Sequence, residues 1–229
     1  MVNGVVVPYN RPIEVLQEMM LTDNMGEFAA VCEALSYHSD PRAYELLRCY
    51  AAHKDKYVRL CILKTVFRHP RAVELNDFLT DALQSDDIFF VENALRVIPE
   101  NRLEVPNGVL LRVVRKHLQI LHYNALYALQ GVDDSEENYE AIVELLQMAT
   151  SCGQKEVLST ILCNKYLEGK SAQLFRIFST DSCSKLRVLA VKIATKYGFD
   201  LSLLCHDVDG HVRNAVFVQA QEKRKDDIS

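Results

Sequence analysis

Apolar residues recur along this chain with the period of an α-helix. Leu186, Leu189, Ala190, Ile193, Ala194 and Tyr197 stand at i, i+3, i+4, i+7, i+8 and i+11, one stripe of an amphipathic helix. In 136–150, Tyr139, Ile142, Val143 and Leu146 fall on one side, while Glu137, Glu140, Glu144 and Gln147 fill much of the other. No segment alternates apolar and polar residues between hairpin turns, so no strand is expected. The period predicts helices over 12–21, 26–36, 42–52, 58–67, 71–83, 88–98, 107–117, 119–129, 136–150, 154–166, 171–179, 184–197, 199–205 and 210–222. The fold class read from this pattern is all-α.

The helices come in pairs, and the pairs resemble one another. Pro41, Pro70 and Pro99 are spaced 29 residues apart, and a proline suits a first helical turn. The second helix of each pair opens alike: Val58-Arg59, Val91, His122, Val157, Leu186-Arg187 and Val212-Arg213, at intervals of 33, 31, 35, 29 and 26. A period near 30 with two helices in each repeat is the mark of an α-solenoid. Asp181 to Arg187 and Asp207 to Arg213 share a spacing of six, whereas His53 stands six before Arg59 and Glu92 replaces the arginine near 86–92. An Asp there can cap the incoming helix, and the Arg can reach back to an Asp or to carbonyls of the neighbouring pair.

The run DPRAYELL at 40–47 followed by D-x-x-V-R at 55–59 resembles the HEAT repeat, most closely the short bacterial HEAT-like type of phycobilisome lyases. Residues 40–67, 181–197 and 207–217 carry the likeness best, 69–98 recognisably, and 107–166 by spacing alone. The resemblance implies a right-handed α-α superhelix of six to seven pairs over 12–222, between an irregular segment at 1–11 and a polar tail at 223–229. It also implies that second helices line a concave face, where Arg59, Lys64, Arg68, Tyr123, Tyr127, Lys192 and Arg213 would meet a partner. Tyr and Arg are the residue types that most often anchor interfaces, although Tyr123 and Tyr127 could equally pack between pairs.

Composition narrows the chemistry. The 229 residues are 49% hydrophobic and 25% charged, with eight glycines, six prolines and no linker-like stretch, so one structural unit is expected. Neither G-x-x-x-x-G-K-[ST] nor G-x-G-x-x-G occurs, nor C-x-x-C or H-E-x-x-H. Cys49 with His53, and Cys205-His206 with His211, are looser metal candidates; core cysteine and turn histidine are the preferred readings. No catalytic, cofactor-binding or metal-binding residue is assigned, and no cofactor is expected. The seven scattered cysteines read as small core hydrophobes in a reducing compartment, not as a disulfide framework. With no apolar run near the roughly 20 residues that span a bilayer, the cytoplasm is the expected location, for this chain or for the part of a longer anchored protein that it represents.

Charge is banded. Residues 42–71 hold eight basic side chains against two acids, 72–104 eight acids against two bases, 133–144 six acids alone, and 165–196 seven bases against two acids. These observations favour a non-enzymatic scaffold that binds a protein or peptide on the concave face. The resemblance also keeps open a bilin lyase-type enzyme and a HEAT-like DNA-repair protein. Nucleic acid is disfavoured by a net charge of −5 and the absence of tryptophan.

Overall fold

In a computed structural model the chain is three-quarters helical. The structure describes residues 7–226, leaving aside the side chains at 72, 73 and 222–226, and no strand occurs among the described residues. Positions 1–6 of the expected N-terminal segment and 227–229 of the expected tail lie outside them. No described helix is long and apolar enough to cross a membrane.

The helices are α1 (Ile13–Met19), α2 (Met25–Ser36), α3 (Pro41–Ala51), α4 (Lys56–Thr65), α5 (Asn76–Gln84), α6 (Ile88–Asn101), α7 (Asn107–His117), α8 (Glu136–Met148), α9 (Cys152–Ser179), α10 (Ser184–Tyr197), α11 (Ser202–Cys205) and α12 (Gly210–Asp226). Short 3-10 segments add Val66–Arg68, Ala72–Leu75 and Tyr123–Gly131. Two compact units result, Met1–Val113 and Val114–Ser229, divided within α7.

In the first unit α3 packs on α4 and α5 on α6, while α2, α4 and α6 contact one another in succession. Leu35, Leu47, Ile62, Leu63, Leu83 and Leu95 are fully buried there. In the second unit segment 123–131 and α8 pack on α9, α9 on α10, and α10 and α11 on α12, around Leu126, Leu129 and Phe178. A hairpin of helices cannot bury its own apolar face, so each pair is completed by the next. Polar contacts keep the same beat: Lys56–Asp87 are 31 residues apart, Gln119–Met148 29, Tyr166–Asp133 33 and Lys185–Glu156 29.

The helix ends follow side-chain chemistry. Asp40, Asp55 and Asp87 each accept the N–H two residues on and begin α3, α4 and α6. Gly198 ends α10 at φ 77°, in the left-handed region that glycine enters without Cβ strain. Gly198→Ala is expected to cost about 1–2 kcal/mol in urea unfolding. The positive φ is the sole cause, because an added Cβ would meet nothing within 4 Å.

Four expectations need correction. Pro99 lies inside the last turn of α6, and Pro106 precedes α7, so the 29-residue proline spacing ends with Pro70. The helix expected over 119–129 is 3-10 from Tyr123 to Gly131. Its buried Ala125 and Ala128, and Leu126 and Leu129, stand three apart, the spacing that superposes in a 3-10 helix. The tail expected from 223 begins later, because α12 runs to Asp226 through the strong helix formers QAQEKRK. Finally, Cys152 and Cys183 form a disulfide. Cys32 is a buried core thiol as expected, whereas Cys49 and Cys205 are exposed.

Candidate functional site

The Val-Arg turns have a common geometry. Arg59 Nη1 donates to the carbonyls of His53 (2.7 Å) and Lys54 (3.2 Å). Arg187 Nη1 does so to Asp181 (2.8 Å) and Ser182 (3.0 Å). Arg213 Nη1 does so to Asp207 (2.6 Å) and Val208 (3.0 Å). The acceptor is thus the backbone six and five residues back, which explains why His53 serves where an Asp was expected. Through Nη1 these arginines close their own turns, and Arg187 reaches the neighbouring pair as well, at the Asp207 carboxylate.

The aspartates face the preceding pair instead. Asp207 accepts both edges of the Arg187 fork, at 2.7 and 3.0 Å, and also the Asp209 N–H at 2.8 Å. Asp181 accepts Lys155 Nζ at 2.8 and 2.9 Å and the Cys183 N–H at 2.7 Å. Lys155, Asp181, Arg187, Asp207 and Arg213 therefore form one polar ladder through three successive turns. The Arg187 hydrogen bonds hold the Asp207 carboxyl below the usual carboxylate range and raise the guanidinium. In the first unit Arg59 lies over the Phe90 ring, 5.3 Å from its centre, instead of reaching a carboxylate.

The basic band at 42–71 is largely answered by acids from other helices. Arg42 pairs with Glu14, Lys56 with Asp87, Arg68 with Glu33, and Arg71 with Glu74 and Glu45. Such exposed pairs are screened by water and add little to stability, so their effect is on register more than on stability. Lys64 and Arg96 are exposed and take part in no such pair among the described residues.

Grooves open in both units. On the second-helix face of the first unit, Lys64 and Arg68 meet Asn93, Arg96 and Glu100 around a groove of about 210 Å³. In the second unit Tyr123 and Tyr127 line one of about 420 Å³ with Gly153, Glu156, Thr160 and Lys185. Tyr123 is 42% and Tyr127 38% exposed, so both present aromatic surface outward. Gly153 lets Tyr123 lie close, since a Cβ there would stand 3.1 Å from its ring. Another, of about 590 Å³, lies between α3, α4, α5 and α6. Arg48, Arg59, Asp77, Asp81, Phe78 and Phe90 line it.

Among the expected site residues the structure thus joins Lys64 with Arg68, and Tyr123 with Tyr127. Arg59 faces the 590 Å³ cavity, Arg213 closes a turn, and Lys192 is exposed on α10 outside the grooves. Arg96 and Lys185 were not anticipated; Arg96 stands one repeat, 32 residues, after the anticipated Lys64. The large cavity was invisible to periodicity, because Asp77 and Asp81 read as an ordinary solvated face. No group of three or more His, Cys, Asp and Glu side chains is placed to hold a metal ion among the described residues. No protein-family model matches the chain, and no curated protein is significantly similar to it.

Proposed function

We propose that the chain is a HEAT-like solenoid scaffold that binds a protein or peptide on the face formed by its second helices. The observation that carries this reading is the state of that face within each unit. Side chains of the types that anchor interfaces, Arg96 and the pair Tyr123 and Tyr127, line grooves there without serving the core, with the Lys64 charge beside Arg96. The successive contacts of α2, α4 and α6, and of 123–131, α9, α10 and α12, support the solenoid. The turn clasp shared by Arg59, Arg187 and Arg213 supports it as well.

The test is a cross-linked pull-down from lysate with the unchanged protein, a Lys64→Glu/Arg96→Glu variant and a Tyr123→Ala/Tyr127→Ala variant. A partner held by these grooves is expected to bind at least ~10-fold more weakly to one variant, the equivalent of about 1.4 kcal/mol. The urea midpoint of the Lys64→Glu/Arg96→Glu variant should not change, because both side chains are exposed and unpaired. Recovery of the same proteins by all three forms would remove these grooves from the function.

A further inference from the structure

The last helix pair repeats the geometry of the pair before it with one partner missing. At an offset of 26 residues Asp181 matches Asp207, Leu186 matches Val212 and Arg187 matches Arg213. The match continues through Ala190 with Val216, Val191 with Phe217, and Ala194 with Ala220. Arg187, Val191 and Ala194 stand at i, i+4 and i+7, so they share one stripe of α10. That stripe faces the following pair: Arg187 grips Asp207 there, and Val191 is 0% exposed. On α12 the same stripe is open. Arg213 closes its own turn through Nη1, but its other edge receives no carboxylate among the described residues. Phe217 is 60% exposed where Val191 is buried, and Val208, in the turn, is 92% exposed. Ala220 is exposed too, where Ala194 is buried.

We infer that this outer stripe of α12 is a docking edge for a helical hairpin of a partner protein, one whose inter-helix turn carries an aspartate or glutamate. The edge is distinct from the second-helix grooves, and the two readings stand or fall separately. The occupant follows from the template within the chain. The Arg187–Asp207 fork shows what fits the free side of such an arginine, and Val191 with Ala194 shows that a helix covers the rest. A polar terminal cap would need no phenylalanine at the centre of the stripe. A second copy fits less well, because antiparallel pairing of α12 about Phe217 would set Arg213 against Gln221, which has no charge.

The probe is a tandem copy of residues 198–223 inserted directly after residue 223, which sets a second Asp207 one period beyond Arg213. Phe217 of the original copy becomes Trp, the sole tryptophan of the chain. The lengthened protein is expected to hide that tryptophan from acrylamide, relative to Phe217→Trp in the unlengthened chain. Asp207→Ala in the inserted copy alone should then lower the folding equilibrium constant roughly 10- to 100-fold, the range for a hydrogen bond between charged groups. A tryptophan equally quenched in both proteins, or an inserted copy indifferent to Asp207→Ala, would overturn the proposal. A second variant does not depend on folding of the insert. Phe217→Ser in the unlengthened chain should leave the urea midpoint unchanged or higher, and a marked fall would show that Phe217 is packed and not a docking residue. Concentration-dependent dimerisation abolished by Phe217→Glu would reassign the edge to a second copy and overturn the partner named here.

Discussion

Asp207→Ala is expected to lower the stability of the protein by about 1.5–3 kcal/mol, the range for hydrogen bonds to a charged group. The side chains of Arg187 and Asp207 are only 12% and 8% exposed, so water replaces the lost carboxylate only in part. Arg187 would keep its two turn carbonyls but lose both bonds of its fork, and the Asp209 N–H would lose its acceptor. Asp207→Asn should cost less, because an amide oxygen can still accept. The pH dependence has a definite sign. Arg187 holds the Asp207 carboxyl below its ordinary value, so the folded state binds that proton less readily than the unfolded chain. The stabilisation is complete above the unfolded aspartate value of about 3.9 and is lost as pH falls through the lower folded value. Urea midpoints measured between neutral pH and pH 3 should fall more steeply in the unchanged protein than in Asp207→Asn. Parallel curves would show that Asp207 does not titrate with the fold.

This pair also shows what the sequence could and could not convey. The six-residue spacing of Asp181 to Arg187 and Asp207 to Arg213 marked the right residues. Spacing names residues, however, and the clasp uses backbone oxygens, which every residue has. His53 therefore does the same work for Arg59, and the apparent exception disappears. The aspartate was thereby freed to cap its turn and face the preceding arginine, a contact 20 residues long that no local pattern records. Helix positions were legible because burial imposes a 3.6-residue period, and they failed where another period prevailed, at 123–131. Proline spacing misled at Pro99 because a proline tolerated late in α6 looks the same in sequence as one that opens a helix.

The candidate grooves were legible by half. Lys64 and Arg68 were found from charge, and Tyr123 and Tyr127 from residue type, because these properties belong to single residues. Arg96, Lys185 and the cavity lined by Asp77 and Phe90 depend on which helix lies beside which, information carried by the stacking of pairs. The charge bands carry part of that information. Lys56 on α4 meets Asp87 at the start of α6 across the boundary between the basic and acidic bands. The bands thus set register between neighbouring helices as well as decorating a surface. Lys64 and Arg96 stand outside this pairing among the described residues, which is why the proposed function rests partly on them.

Reducing the Cys152–Cys183 disulfide is expected to lower stability by about 3–4 kcal/mol, from the loop-closure entropy of its 31-residue separation. Cys152 begins α9 and Cys183 caps α10, so the link joins equivalent turns of successive pairs, with Cα atoms 5.7 Å apart. Lys155 and Asp181 bridge the same two turns at 2.8 Å, which should hold the native arrangement when the covalent link is cut. Dithiothreitol should therefore lower the urea midpoint while leaving the helical circular dichroism of the folded protein unchanged. Cys152→Ser should reproduce the reduced protein and be indifferent to the reductant. A thiol count in denaturant separates this from a general effect of reduction. Five of the seven cysteines should react before reduction and all seven after it, and seven at the outset would show the pair to be unlinked thiols. The odd cysteine number and apolar surroundings hid the pair from sequence, because what brings Cys152 to Cys183 is the repeat period itself, which sets like positions of adjacent turns side by side.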